Sequence, residues 1–163
     1  MREGRAARYK RIYGQLEELI SGRSPNLTAA MATICAVLHA KMRHHSWTGF
    51  YLVAGPDELH VGPYQGPVAC QVLRGGGVCL ECVRRRSPAV VPDVASLPGH
   101  IACDPRSRSE IALPVFRGRD VGAVLDIDSW SPAQFDVDDV EPLMTILSLL
   151  EPYLAAGRPQ DGC

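Results

Sequence analysis

One cysteine in this sequence occupies a position that does not suit a packing residue. Cys103 lies in a polar loop bounded by prolines, between two apolar runs. A structural cysteine usually behaves as a small hydrophobe inside a helix or strand. Beside His100, Arg106 and Arg108, in contrast, positive charge can stabilise a thiolate. The sequence therefore predicts that Cys103 is a nucleophile.

Two further cysteines flank a run of three glycines upstream of Cys103. Cys70 precedes the glycines at 75–77, and Cys79 follows them. We predict a short helix over 78–86, which places Cys79 in the first turn, where a helix N-terminus lowers the pKa of a thiol. The glycines give the backbone wide conformational freedom, so this segment can swing a second thiol toward Cys103.

The chain contains six cysteines in all. This number exceeds what packing requires and is too small for a disulfide-dense fold, so catalytic, redox or metal-binding roles are favoured. Cys82 lies three residues after Cys79 on the same predicted helical face and competes with it as a partner thiol. Cys35 belongs to an apolar helix face, and Cys163 is predicted to be a free thiol in an unstructured tail.

Three acidic residues form a second group that can do chemistry. Asp126 and Asp128 are two residues apart on a predicted strand, so they project from one face. Leu125 and Ile127 project from the other. Carboxylates are costly to bury without partners, so the pair either ends the strand in solvent or lines a pocket that meets a cation. Glu110 can reach the same pocket, and close carboxylates raise the pKa of at least one member until it holds a proton at neutral pH.

The elements that position these residues follow from the spacing of apolar side chains. Helical spacing gives way to alternation at Trp47. The predicted helices cover 6–20, a segment from a cap at Asn26 or Thr28 to 42, and 78–86. The predicted strands cover 47–53, 58–61, 68–73, 89–94, 110–116 and 121–127, with a loop over 63–67. The closing helix is predicted from about 139 to 154, because Pro142 is tolerated only in a first turn.

This order of elements indicates an α+β fold, in which one central, mainly antiparallel sheet is covered by the N- and C-terminal helices. A chain of 163 residues suits a single domain, predicted over 1–156 with a flexible tail over 157–163. The net charge of −1 gives no reason to expect nucleic acid or a membrane surface as partner, and no apolar run is long enough to span a bilayer. The charged N-terminus lacks the apolar centre of a signal peptide, so we expect a cytoplasmic protein.

Several motifs together are similar to those of one enzyme family. They are Trp-Thr-Gly-Phe-Tyr at 47–51, Gly-Pro-Tyr-Gln-Gly-Pro-Val-Ala-Cys at 62–70, Gly-His-Ile-Ala-Cys-Asp at 99–104, Ser-Glu-Ile-Ala-Leu-Pro-Val at 109–115 and Gly-Ala-Val-Leu-Asp-Ile-Asp-Ser at 122–129. From Trp47 to Phe135 the chain resembles the GAF-domain enzymes that reduce free methionine-R-sulfoxide. The resemblance implies a GAF-like domain that works through a cycle of thiolate, sulfenic acid and redox-active disulfide and is recycled by thioredoxin. It further implies a role under oxidative stress, pairing of two copies as a homodimer, and no cofactor or metal.

The resemblance also assigns roles residue by residue. The attacking thiol corresponds to Cys103. The partner thiols correspond to Cys79 and Cys70. The acids that bind the substrate correspond to Glu110, Asp126 and Asp128. The aromatic residues that wall the pocket correspond to Trp47 and Tyr51. By residue type alone, the two aromatic side chains suit a hydrophobic core better than a ligand wall.

The chain departs from the family pattern near the partner thiols. Arg74-Gly-Gly-Gly replaces a glycine-arginine-glycine arrangement, and a Leu-Glu pair follows Cys79 where the family has small residues. These changes leave open which thiol, Cys79, Cys70 or Cys82, resolves the attacking cysteine.

Two other classes of protein fit parts of the pattern. A non-catalytic GAF sensor domain that holds a small ligand would need none of the cysteines. A tetrahedral zinc site is the other alternative, with the ligands Cys79, Cys82, Cys103 and His100. A single CxxC pair without a second close pair does not define such a site, so we predict no metal.

Overall fold

The computed structural model describes residues 4–98 and 103–156. The helices are α1 Arg5–Ile20, α2 Leu27–Lys41, α3 Val78–Arg85, α4 Val137–Leu147 and α5 Glu151–Ala156, with 3-10 turns at Val94–Ser96 and Ser148–Leu150. The strands are β1 Trp47–Gly55, β2 Glu58–Gln65, β3 Val72–Arg74, β4 Ala89–Val91, β5 Ser109–Arg117 and β6 Asp120–Ser129. Within the described ranges, no helix is both long and apolar enough to cross a membrane. The predictions for His100, Cys163 and the tail over 157–163 fall outside these ranges.

The six strands form one sheet in the order β3-β2-β1-β6-β5-β4, and each neighbouring pair is antiparallel. Helices α1, α2 and α4 cover one face, and α3 packs on the other. The predicted α+β fold, with terminal helices over a central antiparallel sheet, is confirmed. The first face will be called the helix face and the second the pocket face.

The helix face is a closed apolar core. Phe50 from β1, Leu113 from β5, and Leu125 and Ile127 from β6 are fully buried there against the apolar sides of the helices. Each such side chain contributes about 1.5–3 kcal/mol to folding relative to an exposed one. The alternation predicted for β6 is therefore confirmed on this side of the sheet.

A buried polar anchor ties the two terminal helices together beside this core. Asp139 of α4 is fully buried and accepts hydrogen bonds from the hydroxyl of Tyr9 at 2.9 Å and from Arg5 Nη1 at 2.7 Å. It also accepts from the backbone N–H of Asp136, which closes a capping box at the start of α4. A buried carboxylate is tolerated here because each partner offers a donor.

The capping box explains why the prediction for the closing helix was wrong. Because Asp136 caps the helix, α4 starts at Val137 and Pro142 lies inside it rather than in its first turn. A 3-10 turn after Leu147 then separates α4 from α5, so the predicted single helix is two short ones. The second helix of the chain is capped by Asn26, whose side chain accepts from Ala29 N at 2.9 Å, and not by Thr28.

Three strand boundaries were also wrong. β2 continues through the predicted loop to Gln65, and Pro63 fits because the pairing with β1 shifts register there, where a bulge tolerates a residue without an N–H. β3 covers only Val72–Arg74, so residues 68–71 are not strand, and β4 ends at Val91. The segment before β3 is thereby left to line a pocket.

Candidate active site

A pocket opens on the pocket face between the sheet and α3. Strands β1, β5 and β6 supply its floor, and the segment around α3 and the loop that starts at Cys103 supply its walls. The residues predicted for the site come from separate stretches of the chain, and the structure brings every one of them to this pocket. They are Trp47, Tyr51, Cys70, Cys79, Cys103, Glu110, Asp126 and Asp128.

A disulfide between Cys70 and Cys103 borders the pocket. Cys103 is exposed and Cys70 is half-buried, so the sulfur pair faces both the pocket and the solvent. The structure therefore holds these two side chains in the oxidised state. Cys35, Cys79 and Cys82 are buried free thiols.

Burial reverses the reactivity that the sequence predicted for Cys79. The residue does lie in the first turn of α3, as expected. Its thiol, however, is buried beside Asp126 and Glu110, and burial followed by the negative charge of these carboxyls raises its pKa well above the ordinary value. The predicted lowering of the Cys79 pKa by the helix N-terminus was wrong, because loss of water outweighs the dipole of a short helix. Burial likewise raises the pKa of Cys82 to about 12.

The three acids meet on the floor of the pocket. Glu110 on β5 pairs directly with Asp128 on β6, and Asp126 lies on the same face of the sheet. Burial, followed by repulsion from Asp126 and Asp128, raises the pKa of Glu110 well above its ordinary value. Burial raises the pKa of Asp126 to about 6 and, with the charge of Asp126, raises that of Asp128. The three acids line a pocket, and the direction of the pKa shifts of Glu110 and Asp128 favours the prediction that at least one of them holds a proton at neutral pH.

The acids retain capacity to bind a ligand. Asp126 is only 6 % exposed, and its Oδ1 has no hydrogen-bond partner among the described residues. Glu110 Oε1 accepts a long contact of 3.9 Å from the thiol of Cys79. An unpaired acceptor in a buried site carries a desolvation penalty of about 1–3 kcal/mol, which a cationic or hydrogen-donating ligand would remove.

Aromatic rings form one wall of the pocket. The ring of Trp47 is stacked between those of Tyr51, at a centroid distance of 5.7 Å, and Tyr64, at 5.4 Å. The hydroxyl of Tyr51 donates to the carbonyl of Cys70 at 3.2 Å, which ties this wall to the disulfide. Trp47 and Tyr51 also belong to the buried cluster of the pocket face, so they serve as core and as wall together. Sequence reasoning missed the stacking of Tyr64 on Trp47, which requires the glycine at position 49, because a Cβ there would overlap the Trp47 ring and the Cβ of Tyr64.

Sequence reasoning also missed residues that follow Cys103. Asp104 and Ser107 line the pocket, and the hydroxyl of Ser107 hydrogen-bonds to Asp128, which opposes the rise in that carboxyl's pKa. Asp104 accepts from the indole N–H of Trp130 at 3.1 Å and from the guanidinium of Arg106 at 3.0 Å. The polar composition of this loop was the available signal, but its partner Trp130 is distant in sequence.

The two arginines predicted to stabilise a thiolate at position 103 bind carboxylates instead. Arg106 forms a two-pronged contact with Asp104, and Arg108 lies 3.7 Å from Asp93. Because the charges of Arg106 and Arg108 are engaged in these pairs, they offer the sulfur less support than the sequence suggested.

One group of described side chains has the geometry to contact a metal ion. Ligand atoms of Cys79, Glu110 and Asp126 lie within 4.8 Å of one another. The zinc set considered from the sequence is not assembled as such, because Cys103 is engaged in the disulfide. His100, the fourth member of that set, lies outside the described residues.

Comparisons with known proteins agree with this fold. The family model described as GAF domain matches residues 24–154. A protein of Dictyostelium discoideum named GAF domain-containing protein A is 40 % identical over 144 residues, covering 88 % of this chain and 90 % of that protein. Free methionine-R-sulfoxide reductase of Escherichia coli (strain K12) is 36 % identical over 148 residues, covering 90 % of this chain and 88 % of that protein.

A solved structure is similar over almost the whole chain. The X-ray structure of free methionine-R-sulfoxide reductase from Neisseria meningitidis in complex with its substrate superposes with a TM-score of 0.89 at 37 % identity, covering 96 % of this chain and 93 % of that one. The fold and site therefore define a GAF-domain protein. Within that class, the chain belongs to the free methionine-R-sulfoxide reductase family, as its motifs predicted.

Proposed function

We propose that this protein reduces free methionine-(R)-sulfoxide to methionine. The observation that carries the proposal is a pair of cysteines, in one disulfide, at the mouth of a pocket floored by three acids. Sulfoxide reduction requires a thiolate that attacks sulfur, an acid that donates to the departing oxygen, and a second thiol that removes the oxidised product. We assign residues of the pocket to each of these roles.

In the first step, the reduced thiolate of Cys103 attacks the substrate. The sulfur–oxygen bond of the sulfoxide breaks, and its oxygen, with a proton, ends on Cys103 as a sulfenic acid. The methionine sulfur gains two electrons and the cysteine sulfur loses two. Glu110 is assigned as the group that donates to the sulfoxide oxygen, since it faces the pocket as a carboxyl that retains its proton.

In the second step, the thiol of Cys70 attacks the sulfenic sulfur of Cys103. A disulfide forms and water leaves, which gives the state described above. This disulfide favours Cys70 over Cys79 as the resolving thiol, and the raised pKa of Cys79 further disfavours it. A dithiol such as thioredoxin then restores both thiols by two exchange reactions. The exposure of Cys103 gives such a partner access.

The pocket also accounts for a free amino acid as substrate. The unpaired Oδ1 of buried Asp126 suits the α-ammonium group, which a residue inside a peptide lacks. Trp47 and Tyr51 offer apolar ring surface to the methyl group. The preference for the R epimer rests on the named function of the relatives from Escherichia coli and Saccharomyces cerevisiae.

We further propose the cellular setting that this reaction requires. The thiols must be reduced between turnovers, which fits a reducing compartment such as the cytoplasm. The substrate is a product of methionine oxidation, so the enzyme acts under oxidative stress. Two copies are proposed to pair as a homodimer through their helices.

The test replaces the attacking sulfur. Cys103→Ser is expected to abolish methionine formation in an NADPH-coupled assay with thioredoxin, because an alcohol does not attack sulfoxide sulfur. Cys35→Ser is the matched control, since Cys35 lies on the helix face and a hydroxyl can keep its hydrogen bond to the carbonyl of Pro63. The assay offers both epimers of free methionine sulfoxide and a peptide-bound sulfoxide. Turnover by Cys103→Ser, or equal rates on all three substrates, would contradict the proposal.

A second pair of variants identifies the resolving thiol. Reduced Cys70→Ser is expected to release one methionine per chain and then stop, whereas Cys79→Ser continues beyond the first turnover. The opposite pattern would assign the role to Cys79. If every cysteine variant bound free methionine sulfoxide and none, including the unsubstituted protein, released methionine, the chain would be a GAF sensor.

A further inference from the structure

The reaction places a demand on the loop that carries Cys103. In the oxidised protein, Cys103 is held covalently by Cys70. The reduced protein lacks that bond, yet it is the form that must attack the substrate. Some other contact has to keep the sulfur over the acids in that state.

Three side chains around the loop form a contact network that does not involve the disulfide. Both carboxylate oxygens of Asp104 are engaged, because Oδ1 accepts from Arg106 Nε at 3.0 Å and from the Arg106 backbone N–H at 2.9 Å. Oδ2 accepts from Arg106 Nη2 at 3.0 Å and from Trp130 Nε1 at 3.1 Å. The guanidinium of Arg106 also lies over the Trp130 ring, 4.4 Å from its centroid. Asp104, Arg106 and Trp130 will be called the clamp.

The clamp joins the loop to the strand that carries the acids. Asp104 is the neighbour of Cys103 and lines the pocket. Trp130 follows the last residue of β6, two positions after Asp128. The backbone reinforces the junction, since Arg108 N donates to the carbonyl of Ser129 at 2.8 Å. The residues that hold the loop and the residues that bind substrate therefore share one strand end.

We propose that Asp104, Arg106 and Trp130 are positioning residues that hold Cys103 over the acids while the disulfide is reduced. The catalytic role of the clamp rests on the proposed function, whereas its effect on the formation of the Cys70–Cys103 disulfide does not. Hydrogen bonds that join ionised groups are roughly twice as strong as neutral ones, and the arginine fork adds a fixed direction. The contact with Arg106 lowers the pKa of Asp104 to about 2. The Asp104 carboxylate therefore stays charged and keeps its ion pair with Arg106.

The experiment compares two arginines of the same loop. Arg106→Gln breaks the clamp, whereas Arg108→Gln removes an equal charge that is directed at Asp93. In the full-length reduced protein, the equilibrium between the Cys70–Cys103 disulfide and a glutathione buffer gives the effective concentration of one thiol at the other. Arg106→Gln is expected to lower it about tenfold, since small displacements of reacting groups have large effects. The reduction potential then becomes about 30 mV less negative. Arg108→Gln is expected to change it less than about twofold.

A second variant tests whether the residues act as a unit. Asp104→Asn keeps the shape of the side chain and removes its charge, and it is expected to cause a loss similar to that of Arg106→Gln. Because each variant breaks the same contact, the double variant should lose no more than either single one. Losses that add in the double variant, no loss in Arg106→Gln, or equal losses in Arg106→Gln and Arg108→Gln would each overturn the proposal.

Kinetics separates the clamp from the proposed function. In a single turnover with reduced protein, Arg106→Gln should slow methionine release about tenfold and leave the affinity for methionine sulfoxide unchanged, because the acids are untouched. An equal loss of affinity would indicate general disruption of the pocket and would overturn the positioning role. If the effective concentration falls as expected but no form of the protein releases methionine, the clamp stands and the proposed reaction fails.

Discussion

The two faces of the sheet use the same strands for opposite purposes. Along β6, Leu125 and Ile127 enter a closed apolar core, while Asp126 and Asp128 on the other face enter a pocket. The helix face excludes water almost completely and satisfies its buried carboxylate, Asp139, with three donors. On the pocket face, Asp128 has a hydrogen bond from Ser107 and Glu110 has only a long contact from the thiol of Cys79, while no described residue donates to Oδ1 of Asp126. Stability and the proposed ligand binding therefore depend on alternate positions of one strand, so neighbouring substitutions should separate them.

The largest effect on stability is expected on the helix face. Ile127→Ala removes a fully buried side chain, which should lower the free energy of unfolding by about 2–5 kcal/mol because a cavity is left in a packed core. Urea unfolding measures the change. Val137→Ala, at a position 77 % exposed, is the control and should change it by less than about 0.5 kcal/mol. An equal effect of both substitutions would remove the contrast between the core and the surface.

One residue away, the expected effect moves from stability to binding. Asp126→Asn removes the charge proposed to pair with the α-ammonium group of the substrate. A hydrogen bond to a charged group is worth about 1.5–3 kcal/mol, so binding should weaken about 10- to 150-fold, while stability is maintained or increased because an amide is less costly to bury than a carboxylate. Calorimetric titration with methionine sulfoxide and urea unfolding measure the two quantities. Unchanged affinity would place Asp126 outside the binding site.

The smallest effect is a difference in pH dependence between the faces. Glu110 has a raised pKa when folded, so its contribution to stability is present below its ordinary value of 4.5 and is lost as pH rises through the raised value. His45, buried beside the helix face, has a lowered pKa through burial and the neighbouring His44 and His39. Its contribution is present above its ordinary value of 6.5 and is lost as pH falls.

Glu110→Gln isolates the pocket side of this difference. The variant should gain stability over the unsubstituted protein as pH rises from about 4.5 to 8, because an amide has no proton to lose. The loss of stability of the variant at low pH, to which His45 contributes, should remain. Urea unfolding at each pH provides the comparison, and parallel curves for the two proteins would show that the acids of the pocket do not oppose folding at neutral pH.

Local pattern was sufficient for the fold class, and together with the family resemblance it identified eight of the residues that line the pocket. Alternation fixed which face Asp126 and Asp128 share, and the motifs gave the eight predicted residues that line the pocket. Contacts between distant segments were not accessible in this way. The thiol of Cys79 met two carboxyls from β5 and β6, which reversed its expected pKa, and Trp130 reached Asp104 across 26 positions. Pro63 likewise entered a strand because its partner strand could bulge.

The span of the disulfide has a consequence for the whole chain. Cys70 and Cys103 are 33 positions apart and enclose β3, α3 and β4. Closing a loop of this size restricts the unfolded chain by about 4 kcal/mol in the loop-entropy account. Each molecule of sulfoxide consumed would thus convert the less stable, reduced protein into the more stable protein with the disulfide. Each reduction of the disulfide would reverse this change. The melting temperature of the population then becomes a record of the supply of oxidant relative to reductant.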